Sequence, residues 1–154
     1  MSSKPGFRGA DALALTLKRA GVERVFALSG NHIMSVFDAR LETATPLIHV
    51  RHEAAAVHMA DAWGRLTGEP AIALVTGGQG HTNAVSALYT ALMSEAPVVL
   101  LSGHAPNNQA GAGAFQEMAQ ADMARPVTKA AWACRGGEHV ASDVASALDI
   151  SRAG

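Results

Sequence analysis

The chain has 154 residues, 49% hydrophobic and 16% charged, enough to bury one sizeable core and too few for two large domains. A formal charge of −1 excludes a general pull toward nucleic acid or an anionic membrane, and a lone cysteine, Cys134, excludes an internal disulfide and fits a reducing compartment. No apolar run approaches the roughly 18–20 residues of a bilayer span and Met1–Arg8 lacks a signal peptide's apolar stretch, so a soluble, cytoplasmic domain is expected.

Periodicity alternates between helix and strand along the chain. Asp11–Ala20 places Leu13, Leu17 and Ala20 on one helical face before Gly21, a natural stop. Val25–Leu28 reads as a short apolar strand running into the turn Ser29-Gly30-Asn31, followed by a helix over Ile33–Ala39 and a strand over Leu47–Val50. Glu53–Leu66 reads as an alanine-rich helix closed by Gly68, and Ala71–Val75 as a buried strand leading into a glycine loop over Thr76–Gly80. A helix is expected from His81 or Thr82 to Ser94, and a strand over Pro97–Leu101. Gly103–Ala114 has no period and reads as loop, Phe115–Ala121 as a short helix, Val127–Cys134 as a last strand and His139–Ile150 as a last helix.

Strands with continuous apolar runs, each separated by a helix, imply a parallel sheet covered on both faces. The expected fold is a doubly wound α/β layer, in which ligands sit beyond the carboxyl ends of the strands. That geometry nominates Ser29–Asn31, Arg51–Glu53 and Thr76–Asn83 as neighbours, with the segment after Gly103 beside them. Alanine is the commonest residue and aromatics are only 5%, so elements can approach closely while burying little apolar area each. A partner subunit or further domain would support such a core.

Glu53 on its own reads as a first-turn acid favoured by the helix dipole, or as a carboxyl entering a cleft, where burial lets it exchange a proton. The loop Gly77-Gly78-Gln79-Gly80-His81-Thr82-Asn83 is not a Walker loop, and Asn83 stands at the third glycine of a dinucleotide fingerprint. Its glycines read as a tight turn, or as a place where the backbone approaches a flat ligand or another chain. His52-Glu53 starts like a zinc-protease motif, but Ala56 occupies the position of the second histidine, and no metal site is expected from this chain. Cys134 reads as a small buried hydrophobe in the last strand, and Met34, Met59, Met93 and Met118 as core or interface filler.

Taken together, Val25–Gly30, His49–Ala56, Met59–Gly68, Gly78-Gln79-Gly80-His81-Thr82-Asn83 and Ala114-Phe115-Gln116-Glu117 resemble, in order and spacing, the pyrimidine-binding amino-terminal domain of thiamine diphosphate enzymes. The resemblance covers nearly the whole chain and points to the acetolactate synthase and pyruvate oxidase branch, which includes related 2-keto acid and acyl-CoA decarboxylases. It implies that Glu53 hydrogen-bonds a pyrimidine nitrogen of the cofactor, favouring the tautomer whose exocyclic nitrogen removes the thiazolium C2 proton. Attack on a 2-keto acid carbonyl and loss of carbon dioxide then follow.

The same resemblance places Ser29, Gly30, Thr76, Gly80 and Asn83 at the cofactor, and Phe115 and Gln116 on its substrate side. Ser29-Gly30 stands where the family usually has Pro-Gly, Gln79 where it has proline, and Ala62-Trp63-Gly64 where it has Gly-Tyr-Ala, so the substrate subgroup stays open. The diphosphate- and magnesium-holding domain, marked by Gly-Asp-Gly, is expected outside this chain, and a flavin (FAD) requirement is set by segments outside it. Residues 1–154 are thus expected to be a single pyrimidine-binding domain that lacks its last strand, is inactive without a diphosphate-binding partner, and associates as a homodimer or homo-oligomer. Two other readings compete: a non-catalytic module of the same fold that dimerises or docks onto a larger enzyme, and an unrelated nucleotide-binding α/β domain.

Overall fold

The computed structural model describes residues 6–153, so the reading of Met1–Arg8 falls largely outside them. Four strands, β1 (Val25–Ala27), β2 (Leu47–His49), β3 (Ala71–Val75) and β4 (Val98–Ser102), form one parallel sheet in the order β2-β1-β3-β4. Six α-helices accompany them among the described residues: α1 (Gly9–Arg19), α2 (Met34–Thr43), α3 (Glu53–Thr67), α4 (Gln79–Met93), α5 (Gln120–Ala124) and α6 (Val140–Arg152). No helix among the described residues is long and apolar enough to cross a membrane.

Two apolar cores lie on opposite faces of the sheet, because successive strand residues point to opposite sides. One face packs Phe26, Ala73 and Val75 against Ala56, Val57 and Ala60 of α3 and Ala84, Ala87 and Leu88 of α4. The other packs Val25, Ala27, Ile72 and Leu74 against Leu17 of α1 and Val144 and Leu148 of α6. This is the doubly wound arrangement that the unbroken apolar strands imply. Alanines let α3 and α4 come close, and Asp61 then locks the pair. Its carboxylate, 5% exposed, accepts hydrogen bonds from Arg65 one turn along (2.9 and 2.6 Å) and from Ser94 Oγ just past α4 (2.8 Å). Burial alone raises an aspartate's pKa, but here the bonds from Arg65 and Ser94 outweigh it and hold Asp61 below its ordinary range.

Two expected elements are corrected. Phe115–Ala121 is not a helix: α5 starts only at Gln120, and Gln116 lies in the left-handed region at φ 59°. The carboxylate of Glu117 accepts backbone N–H bonds from Gly111, Gly113 and Ala114, which closes the preceding loop onto it, while the left-handed backbone of Gln116 interrupts a helix at its second residue. These bonds also hold Glu117 below the usual glutamate pKa. Val127–Cys134 is not a strand either. It begins in a one-turn 3₁₀ segment (Arg125–Val127) and continues without a ladder partner. Cys134 is therefore no strand residue. It is half-buried, its thiol donates to the Gly136 carbonyl at 3.1 Å, and burial pushes its pKa up. Met34, Met59 and Met93 are exposed and do not fill the core.

Candidate functional site

The strand order reverses between β1 and β3, so the crevice opens beyond their carboxyl ends, where Ser29-Gly30 and Thr76-Gly77 emerge. Thr76 wedges between two glycines. A Cβ on Gly30 would lie 2.4 Å from Thr76 Cβ, and one on Gly80 would lie 2.7 Å from Thr76 Cγ2 and 3.3 Å from Glu53 Oε1. The close approach that these glycines permit is thus made by the chain's own threonine and glutamate. Gly78 is held differently, in the left-handed region at φ 60°, with Gln116 Cβ 2.7 Å from where its own Cβ would stand.

Glu53 opens α3. His52, in extended conformation, caps the helix by accepting the Ala54 N–H on Nδ1 at 3.2 Å, which turns the next side chain inward. Glu53 is 9% exposed, and among the described residues its carboxylate receives one hydrogen bond, from Asn83 Nδ2 to Oε2 at 3.0 Å. A buried carboxyl with a single donor has unused acceptor capacity at Oε1, directed toward Gly80. That donor set suits a ring nitrogen able to share a proton. No group of three or more His, Cys, Asp or Glu that could hold a metal ion gathers among the described residues.

The structure therefore brings Gly30, Thr76, Gly80, Glu53 and Asn83 into one chain of contacts. Ser29 leans the other way, its hydroxyl 3.4 Å from His49 Nε2 on β2. Phe115 and Gln116 close the opposite side. Gln116 Nε2 donates to Gln79 Oε1 at 2.9 Å, and the exposed Phe115 ring stacks on His32 with centroids 6.1 Å apart.

Sequence reading missed three participants. His32 Nδ1 lies within hydrogen-bond reach of Thr76 Oγ1 at 3.2 Å. His81 is buried beneath the loop, with Nε2 donating to the Gln120 carbonyl at 2.9 Å and Nδ1 2.7 Å from Ser102 Oγ. Gln120 itself bonds two loops. A search of histidines for metal spacing could not find His32 or His81, whose partners are hydroxyls and a carbonyl far away in sequence. Nothing local to Gln120 marks it.

Comparison with known proteins fits this geometry. The family described as "Thiamine pyrophosphate enzyme, N-terminal TPP binding domain" matches residues 7–123. The acetolactate synthase large subunit of Haemophilus influenzae is 38% identical over 148 residues, covering 95% of this chain and 26% of that protein. Acetolactate synthase isozyme 3 large subunit of Escherichia coli is likewise 38% identical, with 95% and 26% covered, and 2-hydroxyacyl-CoA lyase 2 of Danio rerio is 36% identical, with 95% and 24% covered. The chain spans about a quarter of the length of these curated relatives.

Proposed function

Because the chain belongs to the thiamine pyrophosphate enzymes, as their N-terminal TPP-binding domain, we propose that it is the half-site for the aminopyrimidine end of thiamine diphosphate, with Glu53 as its catalytic residue. The observation that carries this reading is the buried Glu53 carboxylate, bonded among the described residues by Asn83 alone. When bound, the cofactor supplies an electron sink for making or breaking a carbon–carbon bond next to a carbonyl. Asn83 occupies Oε2 and so presents Oε1, the atom at which Glu53 shares a proton with a pyrimidine nitrogen. Burial keeps that proton from exchanging freely with water. Gly30 and Gly80 let Thr76 form the wall beside it, Ser29 lies at the rim, and Phe115 and Gln116 border the substrate side.

The names of the relatives put 2-keto acids and acyl-CoA-like compounds forward as substrates, for decarboxylation or carboligation. In this reading magnesium and the diphosphate are held by a separate domain or subunit, any FAD binds outside residues 1–154, and the chain works in the cytoplasm as a dimer or larger assembly. Its sheet is completed by a further strand beside β4.

The test is Glu53→Gln in the complete enzyme, read by exchange of the cofactor's C2 proton and by single-turnover decarboxylation. Both should fall by about 10²–10⁴-fold, the usual scale for a lost proton-transfer group, with circular dichroism unchanged. Rates within a few-fold of the parent would sink the assignment. An intact chain that binds a partner subunit but no thiamine diphosphate would instead support the docking module.

A further inference from the structure

Gln120 opens α5 and is 6% exposed, yet both polar atoms of its amide are bonded. Oε1 accepts the Gly78 N–H at 3.0 Å and Nε2 donates to the Gly103 carbonyl at 2.9 Å, while its main-chain carbonyl accepts from His81 Nε2. Gly78 ends the loop after β3 and Gly103 begins the loop after β4, so one side chain ties the two loops that emerge from neighbouring strands. There is no slack between them. A Cβ on Gly77 would stand 2.8 Å from the Gly103 oxygen and 3.0 Å from Gln120 Oε1.

An apolar side chain of similar shape would fill this space without the desolvation that a buried amide costs. The amide is therefore explained by what it holds. Gly78 immediately precedes α4 and offers no side-chain cap, so its N–H bond to Gln120 fixes where the first turn of α4 starts. That turn carries Gly80, and the next one Asn83, to Glu53. Gln116, four residues before Gln120, presses on Gly78 from the other side.

We infer that Gln120 is a positioning residue that sets the distance between the Glu53–Asn83 pair and the Phe115–Gln116 loop, and through it the shape of the aminopyrimidine site. The inference rests on the reading of Glu53 given above. Its test compares the complete enzyme with two variants: Gln120→Met, which keeps the shape and removes both side-chain bonds, and Val144→Ala, a control in the core on the opposite face of the sheet. In the parent the Gly78 amide should exchange slowly with solvent hydrogen, and fast exchange there overturns the inference without any variant. In Gln120→Met that amide should exchange at least tenfold faster and thiamine diphosphate should bind at least tenfold more weakly. Val144→Ala should lower the melting temperature and leave both unchanged. Unchanged binding in Gln120→Met, or an equal loss in Val144→Ala, overturns it. A parent that binds no thiamine diphosphate refutes the Glu53 reading instead, and Gly78 exchange in Gln120→Met then decides the clamp alone.

Discussion

His81 shows how one side chain beneath a site can link its shape to pH. The Gln120 carbonyl can only accept, so Nε2 carries the hydrogen and the neutral ring's Nδ1 accepts from the Ser102 hydroxyl. Burial lowers the pKa of this imidazole below its ordinary value of 6.5, against a smaller opposing effect from the Gln120 bond. A folded pKa below the unfolded one means that the stabilisation is complete above the unfolded value and is lost as pH falls through the folded one. At neutral pH, His81→Gln should cost about 1–3 kcal/mol, the scale for stranding a buried polar partner. Denaturant titrations between pH 7.5 and 5 should find that gap narrowing as acid is added. A gap that stays constant or widens toward pH 5 would rule out the neutral buried ring. At this scale the sequence discloses Glu53, which opens a helix after a strand, but not His81 or Gln120, whose partners lie far along the chain.

Helices and strands were legible to the extent that burial left a periodic trace. β3 matches its expected limits, Ala71–Val75, because all five residues are buried and apolar. α3 starts at the expected Glu53 because His52 caps it locally. α5 starts later than expected because Gln116 takes a left-handed backbone at φ 59°, a conformation that composition does not reveal. The exposed faces of α3 and α4 carry a different message. Leu66 is 85% exposed and Met59 recurs with it at helical i, i+7 spacing, while Tyr89 and Met93 stand at i, i+4 on α4. Large apolar side chains repeated on an outward face are what a partner would cover, so self-association through them can be tested. Leu66→Lys with Met93→Lys should leave the circular dichroism spectrum intact and shift sedimentation toward the smaller species. If the parent already sediments as a monomer, these helices are not a self-association surface.

On the scale of the whole molecule, β4 is an outermost strand of the sheet among the described residues. β4 pairs with β3 alone among the described strands. The segment after α5 nevertheless runs alongside it. Lys129 Nζ donates to the carbonyls of Ile150, Ser151 and Ala153 at the end of α6, and Arg152 Nη2 there lies 3.5 Å from Glu69 Oε2, just ahead of β3. At the other end, Asn107 Nδ2, in the loop beyond β4, donates to the Arg135 carbonyl at 2.8 Å. Residues 129–135 thus travel in the same direction as β4 without bonding it, and a cavity of about 970 Å³ lined by Leu88, Val98, Leu100, Trp132 and Ala147 lies in this region. Val127–Cys134 reads as a strand because its residues suit one, and it is not one because it bonds no strand among the described residues. A single strand needs about 4.8 Å on each side to bond its neighbours, and polypeptide following α6 would enter this slot from the correct end by a right-handed crossover. In the full-length protein, the β4 amides that do not bond β3 should therefore be protected from hydrogen exchange. In the 154-residue chain alone they should exchange fast, and its urea m-value per residue should be smaller, since less surface is buried. Fast exchange of those amides in the full-length protein would leave the slot empty and β4 a true edge.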